Sequence, residues 1–135
     1  MQILVIDAQG GGIGKQIVAA IHKSIPNITV TAVGTNTAAT TAMLKAGADH
    51  GATGENAVIV GARKADVIIG PIGIVIADSL FGEITPAMAV AVGQSNAKRI
   101  LIPVNHCDNI VAGTRELNMK SLLEEILTLL HPAEK

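Results

Sequence analysis

Four short and largely apolar runs punctuate the chain: "QILVI" (2–6), "ITVTAV" (28–33), "DVIIG" (66–70) and "RILIPV" (99–104). Each is of strand length, and the first is apolar without alternation. Such runs read as strands covered on both faces, as in a parallel sheet. Parallel neighbours need long crossovers, and the stretches between these runs carry helical periodicity. The expectation is a single three-layer α/β domain over residues 1–135 with a mostly parallel sheet. Right-handed crossovers leave few topologies, and the Rossmann-like order 3-2-1-4-5 is the one expected.

The intervening segments support this alternation. Ile13, Ile17, Ala20 and Ile21 recur at helical spacing until Pro26 and Asn27 stop them. Residues 37–45 read as a second helix, with Asn36 or Thr35 as N-cap and Gly47 as the glycine stop. A short strand is expected near 50–53, and "ENAVIVGARK" forms a short helix after it. "GPIGIVIADSLFGEI" offers only a helical turn and a loop. Thr85 and Pro86 start a helix running to about Val92. Asn118 caps a last helix, in which Met119, Leu122, Leu123, Ile126, Leu127 and Leu130 share one apolar face.

Composition excludes several classes of function. Hydrophobic residues make up 49% of the 135 residues and charged ones 16%, so the chain is no disordered segment. A net charge of -1 gives no basic excess for nucleic-acid phosphates, and Phe81 is the single aromatic residue that could stack on a base. No positively charged n-region of a signal peptide is read at the start, and "VIIGPIGIVIA" is too short to span a bilayer. The lone Cys107 precludes an internal disulfide, so a cytoplasmic protein is expected. A small chain with so much aliphatic surface is also expected to form a homo-oligomer, most simply a twofold dimer.

In an open parallel sheet, ligands bind beyond the carboxyl ends of the strands. The candidate ligand-binding residues collect there: Asp7, Gln9, Gly10, Gly11, Gly12, Ile13 and Gly14 after the first strand, Thr35 and Asn36 after the second, and Thr53 after the third. Gly70, Pro71, Ile72 and Gly73 follow the fourth, and Asn105 the fifth. Glycines before a helix let a phosphate reach free N–H groups at the positive end of the helix dipole. Gly12 would allow that approach, and Gly14 would let the helix pack on the first strand. Asp7 is expected to orient the loop by accepting N–H bonds. Gly70 is expected to permit unusual backbone angles, and Pro71 to stiffen a turn. Glu55 and Glu83 read as solvated or capping residues.

The glycine run separates three ligand templates. The P-loop pattern fails at Gln9, which stands for its first glycine, and at Gln16, which stands for its magnesium-binding Ser or Thr. The pattern G-x-G-x-x-G meets Ala8 where a glycine belongs. The short-chain dehydrogenase pattern G-x-x-x-G-x-G matches Gly12 and Gly14, again with Ala8 for the first glycine. Thr35 and Asn36 occupy the place of the acid that usually holds an NAD ribose, and no arginine stands beside them. NAD(P) or another nucleotide is therefore the candidate cofactor. His106 and Cys107 are the most reactive-looking pair, but neighbours on an extended chain point opposite ways. The four histidines and one cysteine show no metal-binding spacing.

Together, "VIDAQGGGIGK", "GTNTAATTAMLKAGADHGATGENA", "ADVIIGPIGIVIADS" and "GEITPAMA" resemble a family of small bacterial proteins known only as a domain of unknown function. The resemblance spans nearly the whole chain. It implies the Rossmann-like fold and a shared site at the strand ends, and it implies no catalytic residue. Three functions remain open. The first is a module binding a nucleotide or dinucleotide through the glycine loop. The second is a small NAD(P)-dependent oxidoreductase completed by dimerisation, with Cys107 or His106 in place of the tyrosine this chain lacks. The third is a structural or assembly protein without a ligand.

Overall fold

The computed structural model describes residues 1–104 and 109–131. Among these residues five strands and five helices alternate: β1 (Gln2–Asp7), α1 (Gly12–Ser24), β2 (Thr29–Gly34), α2 (Thr37–Lys45), β3 (His50–Thr53), α3 (Glu55–Lys64), β4 (Val67–Pro71), α4 (Pro86–Gly93), β5 (Lys98–Ile102) and α5 (Met119–Leu129). A 3₁₀ turn (Ile72–Val75) follows β4 directly. The sheet order is β3-β2-β1-β4-β5, and every pairing is parallel. This is the Rossmann-like order expected from the alternation. Its direction reverses between β1 and β4, where the two halves diverge and leave a crevice.

The two faces of the sheet carry separate cores. Ile3 and Val5 of β1 pack with Ile17, Val18 and Ile21 of α1, Met43 of α2 and Ile126 of α5. Leu4 and Ile6, pointing the other way, pack with Val58 of α3, Ile68 of β4 and Met88 and Val92 of α4. Period-2 alternation thus sends successive aliphatic side chains of β1 to opposite layers. Each such side chain contributes about 1.5–3 kcal/mol through burial, which explains why the central strands are apolar without interruption. β3 has no such run because all of its residues, His50–Thr53, are exposed at the edge of the sheet.

Helix ends follow their local chemistry. Asn36 accepts from the Ala39 N–H and caps α2, while Gly47 at φ 120° turns the chain away. Thr85 caps α4 with Pro86 just inside it, and Asn118 caps α5. α1 and α3 are the exceptions. Their N-caps, Gly11 and Gly54, lie at φ 74° and 105° and supply no side-chain bond. Gly70 departs from expectation: it lies within β4 and is not among the residues with positive φ. A Cβ there would stand 2.5 Å from the Ile6 carbonyl oxygen, so close strand approach is what requires the glycine. Among the described residues, no helix is long and apolar enough to cross a membrane.

Candidate functional site

The register brings the carboxyl ends of the first three strands level, with Asp7 beside Gly34 and Gly34 beside Thr53. Asp7 is the last residue of β1 and is only 5% exposed. Its Oδ1 accepts from the Ala8 N–H at 2.8 Å and its Oδ2 from the Gly14 N–H at 2.6 Å. Asp7 therefore performs from a distance the capping that Gly11 cannot, and fixes the loop against α1. Burial pushes its carboxyl above the usual 3.8, the N–H groups of Gly14, Ala8 and Ile13 oppose that rise, and the charge of Glu83 adds to it.

The remaining N–H groups divide into engaged and open ones. Gly11 donates to the Ala8 carbonyl at 3.0 Å, and Gln9 donates to Glu83 Oε1 at 2.8 Å. Among the described residues, the N–H groups of Gly10 and Gly12 have no acceptor. Both glycines are exposed, and a Cβ added to either would meet nothing within 4 Å. The side-chain Nε2 of Gln9 is buried and also lacks an acceptor. A cavity of about 200 Å³ lies against this loop, lined by Asp7, Ala8, Gln9, Gly10, Gly12 and Ile13 on one side and by Pro71 and Leu80 on the other. It occupies the crevice between β1 and β4, with the start of α1 facing it.

Glu83 was not among the expected site residues, yet it is central. Its Oε1 accepts from the Gln9 N–H at 2.8 Å, the Thr35 hydroxyl at 2.5 Å and Asn36 Nδ2 at 3.0 Å. The Gln9 N–H bond chiefly, with those of Thr35 and Asn36, holds its carboxyl below the usual 4.5. Asn36 Nδ2 also donates to the Gln9 carbonyl at 3.0 Å. A solvated or capping role is thus corrected to a tie between the β1 and β2 loops. Sequence offered one faint signal: Asp78 and Glu83 are the only charged residues between Asp66 and Lys98.

The other expected residues divide. Gly14 is buried where a Cβ would stand 2.6 Å from Met43 Sδ of α2 and 2.8 Å from Asp7 Cβ of β1, so close packing on both elements requires a glycine there. Thr35 and Asn36 face Glu83 rather than the cavity. Thr53 lies at 2.8 Å from Thr40 Oγ1, on the far side of β2. Pro71 lines the cavity as the last residue of β4 and caps the 3₁₀ turn that follows. Gly70, Ile72 and Gly73 do not line it; Gly73 instead makes room for Ser79 and Leu80, which a Cβ would crowd at 2.9 and 3.0 Å. Asn105, His106 and Cys107 lie outside the described residues. Among those described, no group of three His, Cys, Asp or Glu is placed to hold a metal.

Among solved structures, the fold is similar to the crystal structure of a dodecameric FMN-dependent UbiX-like decarboxylase from Escherichia coli O157:H7. Identity is 21% and the TM-score 0.51, with 96% of this chain and 75% of that one covered. At this identity the likeness concerns the fold alone. No curated protein shows significant similarity in sequence. The model of the family described as Domain of unknown function (DUF3842) matches residues 2–134, and the chain belongs to that family.

Proposed function

We propose that this protein binds a phosphate-bearing small molecule, of nucleotide or dinucleotide type, at the glycine loop after β1. The observation that carries this reading is the pair of open N–H groups on Gly10 and Gly12, two exposed residues that line a cavity at the start of α1. An anion there completes two bonds and meets the positive end of the helix. The buried Gln9 Nε2 beside it is a further donor awaiting an acceptor. At about 200 Å³ the cavity fits a phosphate group, below the roughly 300–1,000 Å³ of pockets that enclose a drug-sized ligand. The phosphate is the anchored end, and the rest of the ligand extends outward.

Melting curves with NAD(H), NADP(H), ATP, ADP, FMN and inorganic phosphate test this reading. FMN joins the panel because the decarboxylase of similar fold depends on it. A ligand at a hundred times its Kd stabilises the folded state by about 2.7 kcal/mol. A shift with at least one phosphate compound is expected, and no shift with any at millimolar concentration overturns the proposal. A second reading, a structural protein whose loop is only a turn, is favoured by one observation: Asp7 and Glu83 already engage the N–H groups of Ala8, Gln9 and Gly14. Gly12→Asp separates the two. It should abolish a ligand shift if the loop binds an anion. The apolar surface further supports self-association of the chain, in the simplest case as a twofold dimer.

A further inference from the structure

The loop joining the 3₁₀ turn to α4, residues 76–84, folds over the carboxyl edge of the sheet. It closes on itself through bonds from the Asp78 N–H to the Ile84 carbonyl at 2.7 Å and from the Glu83 N–H to the Leu80 carbonyl at 3.2 Å. Leu80 and Ile84 anchor it in the core, and Ser79 Oγ donates to the Gly73 carbonyl at 2.5 Å. Asp78, Leu80 and Phe81 have φ of 65°, 55° and 58°, the left-handed region that L side chains disfavour. Such a path persists where its surroundings hold it, here through the buried Leu80 and Ile84, the Ser79 bond and a tie at its end.

The tie at its end is the Glu83 carboxylate. All three of its bonds go to Oε1, from donors after β1 and after β2. The crevice itself lies between β1 and β4, but a dinucleotide anchored at the loop after β1 reaches with its ribose toward the end of β2, and that ribose would call on the same donors. Glu83 therefore holds an anionic oxygen where a ligand oxygen would go. With Asp7 close by, it also adds negative charge that a second anion must overcome.

We propose that Glu83 is an internal stand-in for the ligand. Its carboxylate closes the β1–β2 side of the site, and a nucleotide gains full access by displacing it from Gln9, Thr35 and Asn36. The proposal rests on the glycine loop being a ligand site. The cavity of about 200 Å³ shares Gln9 with the latch, and displacement of Glu83 would open the site from Gln9 toward β2. The apparent Kd is then the intrinsic one divided by the fraction of molecules that are unlatched.

The test uses the full chain, AMP and inorganic phosphate as probes, and Glu83→Ala with Glu83→Gln as the conservative second variant. Amide spectra read the latch directly through the Gln9 N–H. Its exchange should be slow in the native protein and faster in both variants, and its resonance should move on adding AMP to the native protein. AMP should bind Glu83→Ala at least about tenfold more tightly than the native protein, with phosphate affected less. Folding of each variant is confirmed by its melting curve. If native protein and both variants bind AMP equally, the latch is overturned while the site stands. If neither AMP nor phosphate binds any of them, the ligand site falls and the latch with it. An unchanged Gln9 exchange rate in both variants also overturns the latch.

Discussion

Gly11, Gly12 and Gly14 stand within four residues of one another, yet a methyl group added at each meets different surroundings. At Gly11 it would lie 2.9 Å from Ala39 Cα on a residue with φ 74°, so both strain and backbone collision oppose it. At Gly14 it would press on Met43 Sδ at 2.6 Å and Asp7 Cβ at 2.8 Å. At Gly12 it would meet open space in the first turn of α1. Chemical denaturation should therefore rank the alanine variants. Gly11→Ala should lose roughly 2–5 kcal/mol. Gly14→Ala should lose about 1–3 kcal/mol, and Gly12→Ala should be neutral or gain up to about 1 kcal/mol. If Gly12→Ala stabilises the fold but weakens the ligand shift, the glycine there serves binding. The sequence distinguished Gly12 from Gly14 because a dinucleotide template assigns each a task. It gave Glu83 no more than a faint signal, because its partner Thr35 is 48 residues away and is reached only through a run of positive φ values that no local pattern announces.

The two carboxylates of this site titrate in opposite senses. Glu83 is held below its usual 4.5, so its bonds stabilise the fold above that value and are lost as pH falls through the lower, folded one. Asp7 is held above its usual 3.8, so its ionised form costs stability at neutral pH, and that cost is relieved as pH falls through the raised value. Denaturation midpoints measured from pH 7 downward should separate them. Relative to the native protein, Glu83→Gln should lose less stability on acidification, by a small margin because the side chain is half-buried and screened. Asp7→Asn should lose more. Parallel curves for all three proteins would refute this assignment of the two groups.

At the scale of elements, the strands and helices were legible because each carries its own signal. Apolar runs mark the central strands, Asn36, Thr85 and Asn118 mark helix starts, and Gly47 marks an end. The 76–84 loop was not legible, since its conformation follows from the burial of Leu80 and Ile84 and from the contact with Gly73 rather than from turn residues. The caps also differ in a way only packing reveals. Asn118 is exposed and serves α5 alone, with its Oδ1 accepting from Ser121 at 2.9 Å. Asn36 makes the same bond for α2 and adds two more, to the Gln9 carbonyl and to Glu83. Asn118→Ala should cost about 0.5–2 kcal/mol, the usual loss of a cap. Asn36→Ala should cost about 1–3 kcal/mol more, since two further part-buried bonds go with it, one of them to a carboxylate. Equal losses, measured by denaturation, would mean that the Glu83 tie contributes nothing to stability.

The layers of the whole molecule are unequal in polarity. α1 and α5 turn Lys15, Lys23, Lys120 and Glu124 outward and so present ordinary solvated faces. α4 has no charged residue along "PAMAVAVG", and it buries Met88, Ala89 and Val92 while leaving Val90 52% exposed. A helix apolar on every side is normally covered on every side. Beside it, Ile59 and Ala62 of α3 and Ala87 and Ala91 of α4 border a shallow groove that Arg63 and Asn96 also line. A covered α4 is the arrangement these residues favour, and a twofold axis passing near Val90 would cover it with a second copy of itself. Light scattering coupled to gel filtration should then give a mass at least twice 13.8 kDa for the native chain. Val90→Lys should shift it toward the monomer, because a charge at the centre of an apolar contact has to be desolvated. The glycine loop lies at the carboxyl edge of the sheet, away from this groove, so Val90→Lys should leave the ligand shift unchanged. A native chain that runs as a monomer at tens of micromolar would show that α4 is left uncovered, and would separate oligomerisation from the apolar character of this helix.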